Sequence, residues 1–210
     1  MANLTRRIVR VFLASPSDLL PERKLTRTVV DEVNRGLTDL GFQLELYAWE
    51  DESPGAGRPQ DLINQQLDAC DVFLGVLWKR WGQPTGTHES GFHEEFERAL
   101  ARFTRGGVPK VWLWLKEVKK DDRTDAGPQL AKVLAFRDRL KSEAKVLYQE
   151  FTDESDYETR LRITLERHLV AISRPESVAG AMRAPEPTST SPAPVAARTP
   201  PRHSVSPLGE

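Results

Sequence analysis

Apolar residues fall into short dense runs separated by longer stretches in which they recur every three or four positions. Ile8–Ala14 (IVRVFLA) is such a run and leads into Ser-Pro-Ser-Asp, the pattern of a buried strand ending in a turn. From Pro21 onward Leu25, Val29, Val33, Leu37 and Leu40 follow a helical period, and Gly41 ends it. Ser15, Ser17 and Asp18 supply oxygens suited to capping that helix. Phe42–Trp49 alternates as a strand does, and Asp51–Gln60, dense in Gly and Pro, reads as a loop. A short helix is expected over Asp61–Ala69. Asp71–Trp78 (DVFLGVLW) is apolar enough for a strand covered on both faces.

A second Gly-rich loop, Gly82–Gly91, precedes a predicted helix over Glu94–Arg105 with Phe96, Ala99, Leu100 and Phe103 inward. Val108–Val118 reads as a strand, Lys119–Gly127 as a charged loop, Pro128–Lys145 as a helix and Val146–Phe151 as a strand. Asp153–Ile172 closes the series as a helix carrying Tyr157, Leu161, Leu165 and Leu169 at i, i+4 spacing. Five strands alternating with five helices predict an α/β fold. Its sheet is parallel and five-stranded, with helices on both faces and a flavodoxin-like order 2-1-3-4-5. Ligands of such sheets lie beyond the carboxyl ends of the strands, at the switch point between strands 1 and 3.

Composition narrows the choice of partners. The 210 residues carry 30 Lys and Arg against 31 Asp and Glu, a net charge of −1, so no general field draws the chain to nucleic acid or anionic membrane. The single cysteine, Cys70, excludes an internal disulfide framework and a multi-cysteine zinc site. No apolar run approaches the ~18 residues of a membrane span, and a soluble cytoplasmic protein without a bound metal or cofactor is expected. Residues 174–210 hold eight of the 15 prolines and no Phe, Trp or Tyr. A segment so poor in apolar surface predicts a disordered tail or linker after a folded domain over 1–173.

The predicted carboxyl edge gathers the candidate chemistry. Ser15, Ser17 and Asp18 follow strand 1 at a helix N-terminus, where they suit phosphate as well as simple capping. Trp49 and the acids Glu50, Asp51 and Glu52 follow strand 2, suited to a ribose diol, a cation, or solvent. Trp78, Lys79, Arg80 and Trp81 follow strand 3, offering rings for a planar base and a guanidinium for phosphate. Glu94 and Glu95 open the next helix beside His93, a candidate base or a surface residue. No G-x-G-x-x-G, no P-loop, no defensible Ser-His-Asp set and no H-E-x-x-H is present.

Three segments in order, VFLASPSDLLPERK, DVFLGVLWKRWG and ESGFHEEFERAL, closely resemble the bacterial TIR-like domain catalogued as a domain of unknown function. The resemblance spans about residues 7–172, and such domains are often found ahead of STAND-type NTPase or sensor modules. It implies a flavodoxin-like TIR fold and kinship with TIR NAD⁺ glycohydrolases and nucleoside deoxyribosyltransferases, which use a glutamate on this helix to break an N-glycosidic bond. Glu95-Phe96-Glu97-Arg98-Ala99 matches the second half of the glycohydrolase pattern. Its aromatic position falls on Gly91, with Phe92 one residue later, so Glu94 and Glu95 both stand as the candidate catalytic residue. The resemblance implies NAD⁺ or a related nucleotide as substrate, self-association through the Asp51–Gln60 loop, and a role in bacterial defence. A non-catalytic interaction module is the alternative, and a nucleoside transferase a further one.

Overall fold

The computed structural model describes residues 6–36, 41–48, 59–144 and 146–173. Trp49 and most of the Asp51–Gln60 loop lie outside the described residues, as do 174–210. The chain divides into two units, Met1–Pro175 and Glu176–Glu210, and the second is wholly outside that range.

The elements run β1 (Arg7–Ala14), a single 3-10 turn (Ser17–Leu19), α1 (Leu20–Gly36), β2 (Phe42–Ala48), α2 (Pro59–Ala69), β3 (Val72–Leu77) and α3 (Gly91–Gly106). They continue as β4 (Lys110–Lys116), α4 (Lys120–Thr124), α5 (Pro128–Glu143), β5 (Tyr148–Phe151) and α6 (Glu154–Ser173). All strand pairs are parallel, in the order β2-β1-β3-β4-β5. This is the flavodoxin-like arrangement expected from the alternation.

Period-two alternation sends the sheet's side chains to two separate cores. Val9, Val11 and Leu13 of β1, Val72, Leu74 and Val76 of β3 and Trp114 of β4 join α1 and α6 on one face. Phe12, Phe73, Leu77, Leu113 and Leu115 face the other, where α2, α3 and α5 cover them. The central strand β3 is buried along its whole length. Gly75 within it lets α3 dock closely: a Cβ there would sit 2.9 Å from Phe73 and 3.3 Å from Phe92. The face under α1 and α6 also buries a polar contact, Thr26 Oγ1 to Tyr157 Oη at 2.8 Å.

Several local expectations change, among them the start of α3, at Gly91 instead of Glu94. Ser15, Ser17 and Asp18 do not cap α1: the 3-10 turn precedes it with no side-chain cap, and the Ser15 and Ser17 hydroxyls and Asp18 Oδ2 are engaged elsewhere. Helix α2 starts two residues early and takes in Gln60. The charged loop after β4 contains the short α4, none of whose residues is buried. Phe103, expected inward, is 38% exposed near the end of α3.

Candidate functional site

The turn after β1 and the turn after β3 leave the sheet in opposite directions, and a cavity of about 590 Å³ opens between them. Phe12 and Leu13 form part of its lining, with Ile63, Trp81 and Phe92 as further apolar wall; Arg23, Arg80, Gln60 and Glu95 supply charged and polar atoms. This is the switch point at which the topology predicts a ligand.

Helix α3 delivers Glu95. Ser90 caps it, accepting the His93 N–H at 3.1 Å. Phe92, Phe96 and Ala99 are its buried apolar stripe. Glu94 and Glu95 are both buried beside that stripe but turn to different partners. Glu95 lines the cavity and accepts one hydrogen bond from the Gln60 amide, Nε2 to Oε1 at 3.1 Å. Loss of water pushes its carboxyl up to about 7; the Gln60 bond opposes this, the neighbouring Glu94 charge adds to it, and the Arg23 charge opposes it. Glu94 is not among the cavity residues. It accepts from Asn64 Nδ2 at 2.9 Å, from Thr85 Oγ1 at 2.6 Å and from Thr87 Oγ1 at 3.1 Å. It therefore ties the 82–90 loop, which forms a wall of the cavity, to α3.

The residues after β1 hold the rim. Arg23 on α1 is buried, and its guanidinium donates to Ser15 Oγ at 2.8 Å and to the Ser15 carbonyl. Arg80 is exposed and donates to Ser17 Oγ at 2.9 Å. Both arginines and both serines line the cavity. Asp18 stands outside. Its Oδ2 accepts the backbone N–H groups of Lys79 and Arg80, both at 3.0 Å, and so pins the turn after β3 to the turn after β1. Gln129 at the start of α5 pins the same turn from the other side, accepting the Trp81 and Gly82 N–H groups at 2.8 and 3.0 Å.

The two tryptophans separate. Trp81 lines the cavity but is buried, packed against His93, Phe92 and Phe136, so it is wall rather than an open stacking platform. Trp78 is not in the lining. Lys79 Nζ and Lys116 Nζ sit 4.7 and 4.8 Å from its ring, and its indole N–H donates to the Glu117 carbonyl at 3.2 Å. Trp78 thus stands beside two cations and apart from the cavity. His93 is neither in the cavity nor on the open surface; its Nε2 lies 2.9 Å from Glu97. Arg23, Gln60, Asn64 and Thr85 are the functional neighbours that sequence reading missed. For Gln60 and Asn64 the signal is polar residues within an apolar stripe: Gln60, Ile63, Asn64 and Leu67 recur at helical spacing, whereas Thr85 sits in the 82–90 loop and has no such signal. Among the described residues no group of three or more His, Cys, Asp or Glu is arranged to hold a metal, and no helix is long and apolar enough to cross a membrane.

Residues 10–166 match the model of the family described as a domain of unknown function, DUF4062. The chain belongs to this family. The DUF4062 match covers both turns of the cavity, α2 and the whole of α3. No curated protein matches the chain. Among solved structures, it is similar to the TIR domains of the activated Roq1 resistosome that directly recognizes the pathogen effector XopQ. That likeness is 14% identical, covers 75% of this chain and 99% of the other, and has a TM-score of 0.43. It is also similar to general stress protein 14 from Treponema denticola, solved in complex with FMN, at 11% identity, 79% and 97% coverage and a TM-score of 0.33. At such scores neither likeness carries an argument; the fold of this chain is read from its own strand order.

Proposed function

We propose that this DUF4062 domain binds a pyridine dinucleotide in the switch-point cavity and hydrolyses its nicotinamide–ribose bond, with Glu95 as the reacting carboxylate. The observation that carries the reading is Glu95 itself, a buried carboxyl on the cavity wall with a single hydrogen-bonding amide and a titration displaced to about 7. Perturbed carboxyls in clefts are where acid–base and electrostatic catalysis are found.

When the C1′–N bond of NAD⁺ breaks, its electron pair goes to the pyridinium nitrogen and nicotinamide leaves neutral. No general acid is needed. Positive charge spreads over C1′ and the ring oxygen, as in other glycosyl transfers. A carboxylate held in a site shielded from water stabilises that charge. Water then adds to C1′ and releases a proton, giving ADP-ribose. Ser15, Ser17, Arg23 and Arg80 suit the pyrophosphate, Arg80 being the exposed cation and Arg23 the fixed one. Trp81 and Phe92 suit the wall beside a planar ring.

Resemblance to TIR domains supports two further parts of the proposal: activation by self-association through the 51–60 segment, and service in bacterial defence beside a STAND-type or sensor partner.

The pH dependence of nicotinamide release tests the chemistry. The reactive form is the carboxylate, so kcat/KM rises with pH and levels off above about 7. A rate that falls through this window would assign the work to a protonated acid instead.

A further inference from the structure

Helix α2 has two buried amides one turn apart, Gln60 and Asn64, on the face that packs against α3. Each meets one of the two consecutive glutamates: Gln60 Nε2 reaches Glu95 Oε1 at 3.1 Å, and Asn64 Nδ2 reaches Glu94 Oε1 at 2.9 Å. The two contacts differ in surroundings. Glu94 has Thr85 and Thr87 as further donors, whereas Gln60 is the one side-chain donor on Glu95 among the described residues. The chain also makes room for the Gln60–Glu95 pair. A Cβ on Gly91 would lie 3.1 Å from Gln60 Oε1 and 3.8 Å from Glu95 Oε1, so the first residue of α3 has no side chain where the pair needs the space. The Gln60 nitrogen donates to the Glu95 oxygen, an arrangement that suits the anion.

We propose that Gln60 is a positioning residue for Glu95: its amide fixes the carboxyl against the cavity wall and favours the charge-bearing form, while Gly91 provides the clearance. This rests on the reading of Glu95 as the reacting group but is tested apart from it. The groups that face Glu95 are Glu94 on its own helix, Gln60 on α2 and Arg23 on α1. Of these, Gln60 is the one that hydrogen-bonds it among the described residues, so removing Gln60 shifts the balance toward the neutral acid.

The test is a titration of the Glu95 carboxyl by ¹³C NMR on the full chain, selectively labelled at the glutamate side-chain carboxyl carbon, with Glu95→Gln to assign the resonance. A hydrogen bond to a charged group is worth roughly 1.5–3 kcal/mol, so Gln60→Leu raises the midpoint by about one to two pH units above its wild-type position near 7. Gln60→Met, which keeps the length of the side chain and removes the donor, shifts it the same way. Circular dichroism checks that each variant folds, and either folded variant decides the matter. An unchanged midpoint in a folded variant overturns the positioning role, even if Glu95 is essential for turnover. A shifted midpoint supports it, even if no N-glycoside is ever cleaved, in which case the function proposed above falls alone.

Discussion

Glu95 stores an energetic conflict that a single substitution can relieve. Its carboxyl titrates at about 7 in the fold, against an ordinary 4.5, because burial removes water from the anion. Between those two pH values the folded protein holds a proton that the unfolded chain has released. The contribution of this group to stability therefore falls as pH rises through the window. Above pH 7 it costs up to about 3 kcal/mol. Urea unfolding of Glu95→Gln should show a variant more stable than wild type at pH 8, with the advantage gone at pH 4. Equal stability at both would mean that the anion is not strained. Glu94 behaves in the opposite way: three donors hold it, so Glu94→Gln should loosen the 82–90 loop and destabilise at neutral pH by about 1–2 kcal/mol. Sequence alone favoured Glu95, next to the inward stripe, but left Glu94 open, because helical spacing gives the direction of each acid and not the partner it meets on the neighbouring helix.

At the scale of elements, the turns around the cavity are set by side chains that reach from one element to the next. Asp18 accepts two backbone N–H groups from the turn after β3. Asp18→Ala leaves both without that acceptor; denaturant unfolding should show a loss of about 2 kcal/mol, and nucleotide binding should weaken as the turn carrying Arg80 loosens. Tyr157→Phe is the useful contrast. It removes the buried Oη–Thr26 contact on the opposite face, costs about 1 kcal/mol and leaves turnover unchanged. The strands and five of the helices were legible because apolar period and run length report burial directly. Helix α4 was not, since none of its residues is buried and its sequence, Lys-Asp-Asp-Arg-Thr, has no apolar face to show. Gln60 and Arg23 were missed for the converse reason: periodicity counts apolar residues, while these polar ones occupy core-facing positions. That Trp78 stands outside the cavity was not legible, because a strand-end tryptophan looks the same whether it lines a cavity or lies beside two lysines.

Across the whole molecule, alternation of strand and helix determines the sheet order, and the sheet order determines where the cavity opens. That much followed from pattern. What the cavity holds depends on side-chain contacts, Arg23 to Ser15 and Gln60 to Glu95, that bring α1, α2, α3 and the turn after β1 to one place. An activity gated by self-association adds a concentration dependence: specific turnover should climb steeply with protein concentration, and a flat dependence would remove assembly from the account. The most direct measurement is nicotinamide release from NAD⁺ by the full chain at high protein concentration, comparing wild type, Glu95→Gln and Glu94→Gln. Release by wild type, its loss by at least about a hundredfold in Glu95→Gln, and its survival at a reduced level in Glu94→Gln are the predicted result. Release that persists unchanged in Glu95→Gln, or that disappears in Glu94→Gln alone, would contradict it.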